Sequence, residues 1–305
     1  MKDSDAPLMP ALRRSEWLLF AFFLYVPVLA LWRTHAFLHP SELALLIPLA
    51  LVALARADAT SSRPVWSIVR DWVPAALVLV AYWSVDWTAK PAAGHQLENA
   101  LIGWDRTLLN DWGLRAAIEQ FGTLVPAILD LAYLLLYAVP PLAVAVFYFR
   151  HERERIDEFL YPFLLGALLT YALLPHFPSD APRVAFAGQD LPGVQTTFRR
   201  LNLWILDHWD IHSSVFPSGH VAVGFSAAFA MRLAAPGNRS LALTLLVLAA
   251  LVWINTIYGR YHYAADGLAG LAVSVAAISL ILAGKAYEAK RCPATPSASR
   301  TSEGS

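Results

Sequence analysis

Residues 216–234, with the sequence FPSGHVAVGFSAAFAMRLA, place a short polar segment at the start of an apolar run. A second polar segment, HYAAD at residues 262–266, opens the last apolar run of the chain. Histidine and aspartate are costly at a membrane boundary unless they are paired or take part in chemistry. Two such segments, each at the start of an apolar helix, therefore predict a functional site.

The first segment has the composition of a helix N-terminus. Pro217 suits the first helical position, where its missing N–H costs nothing. The backbone N–H groups of Ser218, Gly219 and His220 are then expected to point out of the helix end. Such an end attracts phosphate through its free donors and its dipole.

The second segment positions a histidine beside a carboxylate. His262 and Asp266 are four residues apart and share one helix face. Asp266 is expected to accept a hydrogen bond from one ring nitrogen, which leaves the other free as a base or nucleophile. Two apolar spans separate His220 from His262, so an out-and-back path returns the second histidine to the membrane face of the first.

These segments resemble the type 2 phosphatidic acid phosphatase superfamily. Its second motif, Pro-Ser-Gly-His, is present at residues 217–220, and the histidine and aspartate of its third motif match His262 and Asp266. The resemblance covers roughly residues 67–287. It implies a metal-independent enzyme without a cofactor, acting on a membrane lipid phosphate through a phosphohistidine intermediate.

Two motifs depart from the family pattern. The third motif begins with Ser-Arg, but this chain has Asn255 and Thr256 there, so that arginine is missing. The first motif is best matched from His176 to Arg183, with histidine in place of lysine and Pro182 before the arginine instead of a proline after it. The branch that resembles inositol phosphorylceramide synthase also keeps mainly the two histidines and the aspartate.

The resemblance assigns roles to the matching residues. His262, held by Asp266, is the nucleophile, and His220 is the general acid that protonates the leaving oxygen. Phosphate binding is expected from Ser218 and Gly219.

Two arginines are candidates for the same phosphate. Arg183 matches the arginine of the first motif. Arg260 precedes His262 by two residues and is the candidate to replace the missing arginine, although a headgroup-facing position at the interface is the alternative for it.

The composition indicates an all-α, polytopic membrane protein. The chain has 305 residues, of which 57% are hydrophobic and 15% charged. A membrane helix needs about 20 apolar residues, and the chain is expected to form about eight, with a six-helix phosphatase-like core. The expected spans are 17–32, 36–55, 69–87, 124–149, 159–174, 217–234, 241–258 and 263–286.

Three parts are expected along the chain. Residues 1–66 form a tail and two extra transmembrane helices, residues 67–290 the catalytic membrane domain, and residues 291–305 a disordered tail. Residues 88–122 are expected to form short interfacial helices, or alternatively a wall of the lipid entrance, and residues 198–209 a helix lying on the membrane. Asp130, inside a span, is interpreted as a structural partner, with a functional role as the alternative.

Charge distribution predicts the orientation. With both termini on one side, that side holds 15 of the 23 lysines and arginines, which the positive-inside rule places in the cytoplasm. Both histidine segments then face the opposite side, the periplasm if the protein lies in a bacterial inner membrane.

Several functions remain open from sequence alone. A lipid phosphatase transfers phosphate to water, whereas an inositol phosphorylceramide synthase-like transferase moves a phosphoryl headgroup to a lipid hydroxyl. A non-catalytic scaffold or transporter is the third possibility. The zero net charge gives no electrostatic case for nucleic acid, and the single cysteine excludes an intramolecular disulfide. The sequence leaves the oligomeric state open.

Overall fold

A computed structural model describes residues 12–34, 40–88, 94 and 96–291 of the chain. Within these residues the regular structure is helical, with several short 3₁₀ turns and one π-helical turn between the α-helices. The α-helices are α1 (Arg14–Thr34), α2 (Leu46–Thr60), α3 (Pro64–Ser84), α4 (Gln96–Arg106), α5 (Leu114–Glu119), α6 (Leu124–Leu135), α7 (Val139–Phe149), α8 (Ile156–Leu173), α9 (Pro182–Ala185), α10 (Thr197–Trp209), α11 (Gly219–Ala234), α12 (Arg239–Tyr258) and α13 (Ala264–Arg291).

The predicted all-α membrane architecture is confirmed. Seven helical stretches of the described residues are long and apolar enough to cross a bilayer, and the apolar helix α11 is shorter. Its 16 residues span about 24 Å at 1.5 Å per residue, less than the hydrocarbon core of about 30 Å. The chain is therefore an integral membrane protein in which one of the eight expected spans is a short, central helix.

A helix break falls within the expected span 124–149. Helix α6 ends at Leu135, a 3₁₀ turn covers Leu136–Ala138, and α7 follows with Pro140 and Pro141 in its first turn. Proline lacks the N–H that a continuous helix requires and its ring clashes with the preceding turn. The predicted kink at this proline pair is confirmed.

Helix α11 packs against α8, α12 and α13, and most of its side chains are buried. The contact with α13 depends on Gly270, where an added Cβ would lie 2.5 Å from the carbonyl oxygen of Ser218. Small residues allow membrane helices to approach closely. The start of α13, with the second histidine segment, therefore lies against the start of α11, with the first.

Buried ion pairs attach α1 and α2 to α3 at the other end of the bundle. Arg70 of α3 donates to Glu16 of α1 at 2.6 Å and to Asp58 of α2 at 2.7 Å. Its neighbour Asp71 accepts from Arg13 and Arg153. The division of the chain at residues 66 and 290 stays a prediction. The ion pairs show that α1 and α2 contact α3, the first helix of the predicted catalytic domain.

Breaking this network is expected to destabilise the bundle. Glu16→Leu leaves Arg70 buried with one carboxylate partner fewer, which is expected to lower the free energy of unfolding by about 3 kcal/mol. Denaturant titration in detergent micelles measures the change. Glu158→Leu is the matched control, because its side chain is 57% exposed and lies 3.4 Å from Arg155; it is expected to cost less than about 1 kcal/mol. Equal effects would contradict a stabilising role for the buried pairs.

In the part of the chain that the structure describes, the segments expected outside the bilayer contain short helices. Residues 88–122 contain the short helices α4 and α5, with Trp104 and Trp112 exposed, and residues 198–209 lie in α10. Helix α10 packs on α6, where the Thr196 hydroxyl donates to the Asp130 carboxylate at 2.7 Å. This contact fits a structural role for Asp130. The predicted disordered tail, apart from Arg291, lies outside the described residues.

Candidate active site

The two histidines predicted to be catalytic meet at one end of the bundle. His220 Nδ1 lies 3.3 Å from His262 Nε2, and the ring centroids are 5.5 Å apart, although 42 residues separate them along the chain. His220 lies in the first turn of α11, and His262 lies in the turn between α12 and α13. Both side chains are buried.

Hydrogen bonds define which ring nitrogens carry protons. The Val215 carbonyl can only accept, so His262 Nδ1–H donates to it at 2.9 Å. His262 Nε2 must then accept from His220 Nδ1–H. The single lone pair of His220 Nε2 faces the hydroxyls of Tyr133 and Tyr137 at 3.0 and 3.1 Å and accepts from one of them. The lone pair of His262 Nε2 therefore points into the gap between the two rings.

Asp266 lies beside His262 but is not its closest partner. His262 Nδ1 is 3.5 Å from Asp266 Oδ2 and 2.9 Å from the Val215 oxygen. Asp266 Oδ2 instead accepts the backbone N–H of Tyr263 at 2.9 Å, and its carbonyl oxygen accepts the N–H of Ser218 at 2.9 Å. Asp266 thus caps the start of α13 and connects it to α11, whereas the sequence predicted a direct bond to the ring.

The start of α11 differs from the prediction by two residues. Ser218 is the N-cap, and its hydroxyl accepts the N–H of Val221. Pro217 precedes the cap, so its predicted place at the first helical position is wrong. The first-turn N–H groups of Gly219 and His220 have no acceptor inside the helix, and they lie at the end of α11 beside the paired histidines.

A polar cavity surrounds the facing rings. It is lined by Tyr82, Tyr133, Leu174, Arg183, Asp210, Ser214, Val215, Gly219, His220, Tyr261 and His262. Arg183 donates to Asp210 Oδ2 at 2.8 Å, and Asp210 also accepts from the hydroxyl of Tyr82. A cation, two imidazoles and a helix N-terminus therefore line one small cavity. Together these groups can bind and transfer a phosphoryl group.

A model described as the PAP2 superfamily matches residues 99–280, more than half of the chain. The chain belongs to the PAP2 superfamily. Comparisons with curated proteins and with solved structures returned no match. The matched residues include both histidine segments and exclude α1–α3. Members of the superfamily are in general phosphatases or phosphotransferases, and this is a lipid phosphatase-like membrane protein.

The structure separates the two arginines predicted to bind phosphate in this PAP2 protein. Arg183 lines the cavity, whereas the buried Arg260 donates to Asp105 at 2.8 Å and is not among the lining residues. Arg260 contributes through its carbonyl, which accepts the N–H of Arg183 at 3.1 Å. Ser218 is also absent from the lining, so Gly219 and Arg183 are the phosphate-binding candidates that face the cavity.

Sequence reasoning missed Asp210 and the tyrosines of the cavity. Asp210 lies ten residues before His220 in a segment with several charges, and nothing in its spacing distinguishes it. Tyr133 and Tyr137 carried a usable signal, because a hydroxyl inside an apolar helix needs a partner. Their spacing of four places both on one face of the α6 region, where they contact His220.

The His262 side chain is kept neutral. Burial lowers the pKa of His262 to about 4, against the opposing negative charge of Asp210. At neutral pH the ring is therefore unprotonated at Nε2, the form that a nucleophile requires.

Asp210 is expected to compete with substrate for Arg183. Asp210→Asn keeps the shape of the side chain but removes its charge, so a phosphate no longer displaces a charged partner from Arg183. KM is expected to fall about fivefold, since a charge-assisted hydrogen bond exceeds a neutral one by about 1 kcal/mol. Steady-state kinetics measure it. In an Arg183→Ala background the same change should leave KM unaltered, and a raised KM in the single variant would contradict the competition.

Proposed function

We propose that this chain is a metal-independent lipid phosphate phosphatase or phosphotransferase that forms a phosphohistidine on His262. The observation that carries the proposal is the 3.3 Å approach of His220 Nδ1 to His262 Nε2 beside Arg183. Two imidazoles in this arrangement can supply a nucleophile and a general acid on opposite sides of a phosphorus atom.

In the first half-reaction the phosphate enters between the rings and replaces their hydrogen bond. His262 Nε2 attacks phosphorus, and the bond from phosphorus to the leaving oxygen breaks. His220 gives its Nδ1 proton to the leaving oxygen and takes a proton at Nε2 from a tyrosine hydroxyl that contacts it. Arg183 and the first-turn N–H groups of α11 stabilise the charge on the phosphoryl oxygens, and the Val215 carbonyl holds the ring of His262 in place.

In the second half-reaction an acceptor hydroxyl replaces the departed group. His220 Nδ1 accepts the proton of that hydroxyl and His220 Nε2 returns its proton to the tyrosine. The hydroxyl oxygen attacks phosphorus, and the bond from phosphorus to His262 Nε2 breaks. With water as the acceptor the enzyme is a phosphatase.

The alternative acceptor is a lipid hydroxyl, as in an inositol phosphorylceramide synthase-like transferase. One observation favours it: Thr256 occupies the position of the missing arginine, and the charge of Arg183 is balanced by Asp210. A cavity without net positive charge suits a singly charged phosphodiester better than a doubly charged monoester.

One assay separates the two reactions. The purified protein is incubated in detergent with a phosphatidate, with an isoprenoid pyrophosphate, and with phosphatidylinositol plus ceramide. Release of free phosphate identifies the hydrolase. A new phospholipid without phosphate release identifies the transferase. Absence of both products would contradict the proposed function.

We propose that the histidines face the non-cytoplasmic side of a membrane, the periplasm in a bacterium. The Arg70 network and Tyr82, which lines the cavity, lie eleven to twelve residues apart on α3, roughly 16 to 18 Å along its axis. The basic network then faces the cytoplasm. Cys292, the single cysteine, tests this orientation: a membrane-impermeant thiol reagent should label it only after the cells are opened.

The pH profile of the reaction is expected to report the lowered pKa of His262. The ring is active when neutral, so activity is present above the folded-state pKa and is lost as the pH falls through about 4. We expect kcat/KM for a phosphodiester substrate to stay level from pH 7 to about pH 5 and then to decline. Half-maximal kcat/KM near the ordinary histidine value of about 6.5 would contradict a buried, neutral nucleophile.

A further inference from the structure

A second cavity, which we call the tail slot, borders His220. It has a volume of about 40 Å³, is partly open, and is lined by Val78, Leu79, Tyr82, Leu136, Tyr137, Pro140, Tyr171, Gly219, His220 and Val223. Apart from the imidazole of His220, no ionisable group other than tyrosine hydroxyls lines it among the described residues. Arg183 and Asp210, the charged groups at the candidate phosphate site, line only the other cavity.

The tail slot and the polar cavity share Tyr82, Gly219 and His220. The imidazole of His220 therefore has phosphate-binding groups on one side and hydrocarbon-like surface on the other. A ligand whose phosphorus lies between the histidines has its leaving group next to His220, and any apolar chain on that group starts at the mouth of the slot.

The helix break explains why a space exists here. Leu136 and Tyr137 lie in the 3₁₀ turn between α6 and α7, and Pro140 cannot continue the hydrogen bonding of α6. Across the slot, α11 presents Gly219 and Val223, one turn apart on the same face. A small residue and an interrupted helix leave a gap that regular packing of large side chains would fill.

We infer that the tail slot binds the hydrocarbon chain of the lipid phosphate substrate, beginning at the atoms next to the scissile oxygen. The inference rests on the proposed function for the identity of the reactive group. The independent observation is that an apolar cavity and the polar cavity meet at His220. Most of the lining is apolar, and the hydroxyls of Tyr82 and Tyr137 already contact Asp210 and His220. The chain that enters the slot is therefore apolar from its first few atoms.

Binding measurements test the slot separately from catalysis. Non-hydrolysable alkylphosphonates of increasing chain length are titrated into the protein in micelles by calorimetry. Each methylene buried in the slot is expected to improve Kd about fourfold until the slot is filled, from the transfer free energy of about 0.8 kcal/mol. Phosphate release from lipid substrates, measured in parallel, tests the proposed function.

Matched variants test whether the alkyl chain of the phosphonate binds in the slot. Val223→Phe and, on the opposite wall, Val78→Phe fill the slot and are expected to abolish the gain in affinity with chain length. Val247→Phe makes the same change at a 52% exposed position of α12 and should leave the gain unaltered. Partitioning of the phosphonates into the micelle is common to all three and cancels.

The outcomes are distinct. Loss of the chain-length dependence in both slot variants, with the control unchanged, supports the inference whether or not phosphate is released. A chain-length dependence equal to that of the control in either correctly folded slot variant would overturn it. Turnover of the soluble ester p-nitrophenyl phosphate that stays within about twofold of the unmodified protein shows that the polar cavity has been left intact.

Discussion

Replacing His262 with glutamine is expected to lower kcat by about 10⁴-fold or more. Of the four ring nitrogens of His262 and His220, only His262 Nε2 has its lone pair in the gap between the rings. Glutamine is close in size to histidine and can still donate to the Val215 carbonyl. The loss should therefore be chemical, with the fold retained. Phosphate release or phospholipid formation in detergent measures it.

The phosphoenzyme provides a second readout for this variant. Substrate with labelled phosphate should label the unmodified protein in a bond that is stable in base and labile in acid, as phosphohistidine is. His262→Gln should take up no label. His208→Gln is the matched control, because His208 lies exposed on α10 and contacts Trp204. Labelling of the His262 variant at the level of this control would show that the nucleophile is elsewhere.

Replacing His220 with glutamine is expected to lower kcat by about 10²- to 10⁴-fold for lipid substrates, the usual contribution of a general acid. The size of the loss should depend on the leaving group. A nitrophenolate leaves without a proton, so the first half-reaction of p-nitrophenyl phosphate should fall by less than about tenfold.

The second half-reaction still needs His220 as a base. The phosphohistidine should therefore accumulate when His220→Gln reacts with p-nitrophenyl phosphate, and rapid-quench labelling would detect it. Equal losses for the lipid and the nitrophenyl ester in the rate of phosphoenzyme formation would exclude His220 as the general acid. Together the two variants distinguish nucleophile from acid, because His262→Gln should fail with both substrates.

Much of the architecture follows from local patterns. Within the described residues the expected apolar runs appear as helices, because a long apolar segment in a bilayer has to satisfy its backbone hydrogen bonds within itself. The break at Pro140 and Pro141 follows from the missing N–H of proline. The meeting of His220 and His262 also follows from sequence, since two spans between them return the chain to the same face.

The details of the site depended on contacts between distant segments. Asp266 was expected to bind the ring of His262, but the Val215 carbonyl, 47 residues away, lies closer. Arg260 was a candidate for phosphate, but the buried Asp105 of α4 pairs with it. Neither partner is predictable from spacing, because each is set by how separate helices pack.

By itself the sequence determined the all-helical membrane fold, the helix break and the approach of the two histidines, because hydrophobicity, proline chemistry and the number of crossings are local properties. Only the tertiary structure decided that Arg183 pairs with Asp210, that Tyr133 of α6 and Tyr137 of the following 3₁₀ turn contact His220, and that an apolar cavity borders that ring. These features arise where helices from distant parts of the chain pack, and a buried polar group takes whichever partner that packing brings within reach.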